Sequence, residues 1–165
     1  MATATARAEE AVAGYAPQEH RPLAAYAGLT AAFGVALAGA LVARRRELPE
    51  RISARDLALA GVATHKVSRL LAKDKVTSFI RAPFTRYQEP AGHGELEEAP
   101  RGSGARYAIG ELLVCPYCLA QWVAAGFVVG LVAAPRPTRL VAGIYAAETL
   151  SDFLQLAYAA AEDRA

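Results

Sequence analysis

Cys115-Pro116-Tyr117-Cys118 is the most concentrated chemical signal in the chain. Two thiols three residues apart can close on one another. At the start of a helix, the positive end of the backbone dipole favours the thiolate that thiol–disulfide exchange needs. The same sulfurs can supply half of a tetrahedral zinc site. His65 and His93 are the histidines outside the N-terminal tail, and they could complete such a site if the chain folds back or two chains share the ion. A third reading is structural: two small, polarisable residues at a headgroup-level helix end, with Pro116 as a favoured first-turn residue. The spacing alone leaves redox, zinc and packing open, and it requires no cofactor. The candidate catalytic residues are Cys115 and Cys118.

A second constellation lies near the C-terminus. Tyr145, Glu148, Asp152 and Gln155 recur at helical spacing, so both carboxylates face one way. Ionised groups facing lipid are costly, and such acids normally turn inward toward a partner. Lys66, Arg69 or Lys73, which share one face of an earlier helix, is the expected partner. A charge-paired packing face is the plainer outcome and proton or ion conduction the sharper one. Gly126 and Gly130 form a small-xxx-small pair, as Gly34 and Ala38 do earlier in the chain. The Gly126 and Gly130 pair could join two copies of the chain or pack helices within one.

These residues need elements to position them. In 165 residues, 54% are of apolar type and the net charge is +2, from 18 basic and 16 acidic side chains. That excludes a nucleic-acid binder driven by a strongly basic field. A pair of cysteines is also too few for the disulfide framework of a small secreted domain. Leu23–Ala43 is uncharged, free of proline and about 30 Å long as a helix, enough to cross a hydrocarbon core. The stretch before it lacks a basic n-region, so it is expected to remain as an anchor. Leu57–Ala72 begins apolar and ends amphipathic, with Ser53 as a fitting N-cap. It either crosses as a short span or lies in the interface. Leu112–Ala134 is the second uncharged span, stopped by Pro135 and Pro137. Leu140–Ala161 is long enough for a third, although it carries Glu148 and Asp152.

The fold class expected is therefore all-α: an integral membrane helical bundle of three long apolar helices plus one short amphipathic helix. Residues 1–22 read as a disordered tail and 23–43 as an N-terminal transmembrane helix. The region 57–161 reads as the membrane domain, with a loop at 73–111. That loop is rich in charge, with Pro83, Pro90, Pro100 and a Gly92-His93-Gly94 turn, and it reads as an extended, solvated protein-contact surface. Sidedness depends on whether 57–72 crosses. If it does not, most basic residues fall beside the loop, which places the loop in the cytoplasm and the tail outside. If it crosses, that bias nearly vanishes.

The stretch from about Leu57 onward resembles a bacterial membrane family known as domain of unknown function 1360. The resemblance rests on Thr64-His65-Lys66-Val67-Ser68-Arg69-Leu70, Asp74-Lys75-Val76-Thr77, Arg81, Pro83, Gly110-Glu111-Leu112-Leu113, the cysteine motif and Gln121-Trp122. It implies a small helical membrane protein with no established activity, in which the amphipathic helix counts as a span. The motif also has the letters of a glutaredoxin site, in a different context. A dithiol at a span end looks like the disulfide-forming bundles that pass electrons to quinone, which use a second cysteine pair this chain lacks. The expectation is a bacterial inner-membrane, multi-pass binding, scaffold or accessory subunit bound to the lipid bilayer and not to nucleic acid. The alternative is a membrane thiol–disulfide oxidoreductase.

Overall fold

A computed structural model describes residues 14–16, 18–19 and 21–164. Most of the stretch read as a disordered tail lies outside these residues. The elements in chain order are α1 (Leu23–Ala43), α2 (Ala54–Lys73), a 3-10 turn (Lys75–Thr77), α3 (Ser78–Arg81), β1 (Thr85–Gly92), β2 (Glu95–Pro100), α4 (Gly104–Val114), α5 (Pro116–Ala133) and α6 (Pro135–Glu162).

The all-α expectation is overturned: β1 and β2 pair as an antiparallel hairpin from Thr85↔Pro100 to Gly92↔Glu95. Three long apolar helices are not found either. Among the described residues two helices are long and apolar enough to cross a membrane, α1 and α5. Helix α6 is longer than both but starts with Arg136 and Arg139 and carries Glu148 and Asp152, which break its apolar run. Nor is the helix read as short and amphipathic short: α2 runs 20 residues, nearly the length of α1. The span read as Leu112–Ala134 divides at Cys115 into α4 and α5.

Local chemistry accounts for these boundaries. The Ser53 side chain accepts from the Asp56 backbone N–H at 3.0 Å, capping α2 at an otherwise unpaired donor. Pro135 and Pro137 do end α5, but they also open α6, because a first turn has no use for the missing N–H. In the hairpin, Pro90 is tolerated on the outer strand beside a register shift. The turn holds Gly92, His93 and Gly94 all at positive φ, a region open to glycine at little cost.

Helix direction follows from paired residues. Asp56 meets Arg139, Thr149 reaches the Val62 carbonyl and Lys66 meets Asp152, so α2 and α6 run the same way. Helix α1 runs alongside α5, with Phe33 edge-on to Trp122 at 5.1 Å and Tyr26 bonded to Glu111 just before the cysteine turn. Since α6 returns from the Ala134 turn at the end of α5, the pair α2 and α6 opposes the pair α1 and α5. Helix α2 thus covers the depth of α5 and does not lie across its end. The start of α1, the hairpin and the cysteine turn share one end, where the sequence reading put tail and loop on opposite sides.

Packing inside the bundle is done by small residues. Ala60, Ala63, Thr64, Ser68 and Ala72 line the buried face of α2, met by Ala142 and Thr149 of α6 and Leu119 of α5. Large apolar side chains point outward instead, among them Val35, Leu140, Ile144, Leu150, Phe153 and Leu154. Gly130 packs closely on Thr138 of α6, whereas Gly126 faces open space.

Candidate functional site

Cys115 sits at the break between α4 and α5, in extended conformation, so its side chain is released from both helices. Its Sγ accepts the Cys118 backbone N–H at 3.1 Å. That donor would otherwise be an orphan of the first turn, and it favours negative charge on the Cys115 sulfur. The Cα atoms are 5.2 Å apart and the two sulfurs lie at bonding distance as a disulfide. Cys118 and its neighbour Tyr117 are exposed, while Cys115 is half-buried.

A cleft of about 1110 Å³ opens beside this turn, between α1 on one side and α4 with α5 on the other. Its walls combine aromatic rings (Tyr26, Phe33, Tyr107 and Trp122) with the polar groups of Glu111 and Gln121, and both cysteines reach it. The Tyr26 hydroxyl donates to Glu111, which Arg21 also approaches at 3.3 Å. On the opposite flank a smaller pocket of about 260 Å³ is lined by Thr64, His65, Ser68, Pro116 and Tyr117. The buried Thr64 hydroxyl has no hydrogen-bond partner among the described residues.

The zinc reading finds no geometric counterpart among the described residues: no group of three or more His, Cys, Asp or Glu side chains converges. His65 stacks on Phe153 with centroids 6.4 Å apart, and His93 occupies the tip of the hairpin.

Lys66 Nζ lies 2.8 Å from Asp152 and 3.3 Å from Glu148, joining α2 to the acidic stripe of α6. Arg69 and Lys73 do not join it. Arg69 makes a two-point pair with Glu95, at 2.6 and 2.7 Å, and Lys73 pairs with Glu97 at 2.7 Å. Arg81, which has no exposed surface, pairs with Glu98 and donates to the Leu71 carbonyl at 2.8 Å, the Thr77 hydroxyl at 2.9 Å and the Asp74 carbonyl at 3.0 Å. The acids of β2 are thus not a solvated loop tip. They are matched one by one to the basic residues at the end of α2 and on α3, and that matching folds the segment read as an extended loop. Burial pushes the carboxyl of Asp74, just past α2, above its usual range, with Lys66 opposing that shift. The sequence signal that could have revealed the hairpin was the run of bases at 66–81 followed by the acids Glu95, Glu97 and Glu98 just after a glycine-flanked turn.

The class defined by these features is a helical bundle with small residues inside and two span-length apolar helices. A charge-locked hairpin and a cysteine pair stand at one end of it. Residues 59–158 match the family described as protein of unknown function (DUF1360), and the protein belongs to that family. The match takes in most of α2, the hairpin, the cysteine pair and the ion-paired part of α6, and leaves α1 outside. No curated protein and no solved structure matches the chain.

Proposed function

We propose that the protein is a multi-pass bacterial inner-membrane protein that performs thiol–disulfide exchange through Cys115 and Cys118. The observation that carries this reading is the closed cysteine pair at the first turn of a span-length helix, with one sulfur exposed and the other held by a helix N–H. A closed pair with an exposed sulfur is attackable by an incoming thiolate, and the retained N–H bond makes Cys115 the better leaving thiolate. On this basis Cys118 forms the mixed disulfide with a thiol partner and Cys115 resolves it.

Membrane residence is supported by the inverted distribution of side chains. Small and polar groups fill the interior while large apolar ones coat the outside, as expected where lipid tails and not water surround the helices. With α2 crossing beside α5, Arg44, Arg45, Arg46, Arg51, Arg55, Arg136 and Arg139 gather at the end opposite the cysteines. The charge argument for a cytoplasmic cysteine turn therefore loses most of its force.

The test is thiol trapping with a bulky maleimide on the full chain in native membranes. The expected result is a pair that resists labelling until reduced and equilibrates with a glutathione redox buffer. Both cysteines free and unresponsive to that buffer would defeat the reading. A second reading, a scaffold that binds a protein partner through the region 73–111, is favoured by one feature: β1 is exposed from Arg86 to Gly92 along its outer edge. Crosslinking from Tyr87 or Gln88 to a specific partner, unaffected by Cys115→Ser, would select it.

A further inference from the structure

Net oxidation of partner thiols leaves one cysteine pair reduced and needs a reservoir of oxidising equivalents to close it again, and the cleft beside that pair has the chemistry of one kind of reservoir. Resting on the oxidoreductase reading, we infer that the cleft between α1 and the α4–α5 break binds a lipid-soluble quinone, which reoxidises the Cys115/Cys118 dithiol.

Three observations carry this. The cleft touches both cysteines, so an occupant would lie against the sulfurs without any change of fold. Its walls present Phe33 and Trp122, already in edge contact with each other, and the rings of Tyr26 and Tyr107, which suit a flat, conjugated ring. One wall is α1, which has no buried residue along its length and is apolar enough to lie in lipid, so on the membrane reading the cleft borders the acyl chains on that side, while Glu19, Arg21 and Glu111 line its polar end. Tyr26, whose hydroxyl donates to Glu111, and Arg21 beside that carboxylate line the same cleft and give it a polar end for the quinone oxygens.

The step balances without another reactant. Two S–H bonds break and one S–S bond forms. The two electrons released enter the quinone ring, and the two protons end on its oxygens, giving one disulfide and one hydroquinone.

The experiment uses the full chain in detergent micelles, reduced, freed of reductant and mixed with decylubiquinone under nitrogen. Trp122 is the single tryptophan of the chain, so tryptophan emission, excited selectively over the tyrosines, reports on this cleft. The expected result is saturable quenching, accompanied by loss of two thiols and formation of one hydroquinone per chain. Phe33→Ala should weaken the quinone affinity about fivefold, by removing one aromatic contact, and Leu154→Ala on the far face of α6 should not. Cys118→Ser should keep the quenching and abolish electron transfer. Quenching that is linear in quinone, or saturable quenching without thiol loss, would overturn the inference. Should the thiols still equilibrate with glutathione in that case, the exchange reading survives alone. Thiols inert to both oxidants would remove both.

Discussion

The middle of α2 and its C-terminal end solve the same problem, how to bury a helix face, with opposite materials. Around Ala60, Ala63 and Thr64 the neighbouring helices approach over small side chains, and bulky residues are left outside. Past Ser68 the helix meets the hairpin, and there the interior is ionic: Arg81 is wholly buried against Glu98, with Arg69 and Lys73 paired to Glu95 and Glu97 around it. If lipid surrounds the bundle, as proposed, apolar side chains gain little by leaving one solvent for the other, so close backbone approach does the packing. Beyond the acyl chains that constraint ends, and charge matching can fold a segment whose sequence lacks apolar alternation.

The comparison can be broken most forcefully at Arg81. Arg81→Met leaves Glu98 buried without its charge partner and removes the donor to the Leu71 carbonyl, so a loss of about 3–5 kcal/mol is expected. Limited proteolysis between residues 82 and 101 should then become rapid while the helices stay protected. Gly110→Ala comes next. A Cβ there would lie 2.6 Å from the Phe84 carbonyl oxygen, a backbone atom that cannot swing aside. A loss of about 2 kcal/mol in thermal unfolding is expected from such overpacking. By contrast Gly126→Ala, facing open space, should change the same melting curve by under about 0.5 kcal/mol.

Inside the bundle, Ala63→Leu forces a large residue into a site with no exposed surface, at an expected cost of about 1–3 kcal/mol. Leu150→Ala on the outward-facing side should cost less than about 0.5 kcal/mol in micelles. If the two exchanged rank, Leu150 would lie in a packed interface and not on the outside of α6. The smallest effect concerns Asp74. Its raised carboxyl pKa means the folded state disfavours the ionised form, a penalty absent at low pH that sets in as pH rises through the unfolded and then the folded value. Asp74→Asn should therefore raise the melting temperature slightly at pH 7 and not at pH 3.

What could be read from the residues follows the same division. Leu23–Ala43 and the run after Pro116 were legible because the absence of charge over a whole helix has one main cause. Ser53 as a cap and Lys66 as a partner for Glu148 and Asp152 were legible from short-range spacing. The hairpin was not, because β1 reads Thr-Arg-Tyr-Gln-Glu-Pro-Ala-Gly, with a proline and no alternation, and its stabilising partners lie a helix away in the sequence. Which of Lys66, Arg69 or Lys73 would meet Glu148 and Asp152 was left open for the same reason: helical spacing says which face a base occupies, not which acid will come to it. The cleft at the cysteine turn depends on α1 docking against α5 through Phe33 and Trp122, and no local pattern announces that contact.

The arginines at the two ends of α2 have a mechanical consequence. Arg139 grips Asp56 at one end with two hydrogen bonds of 2.8 Å, and Arg81 grips the Leu71 and Asp74 carbonyls at the other. On the proposed membrane reading, a helix fastened at both termini cannot slide along its neighbours to suit a thinner or thicker bilayer. Its length of about 30 Å acts as a fixed gauge. Mismatch would then be relieved by leaning of the whole bundle, carrying hairpin and disulfide together relative to the headgroup plane.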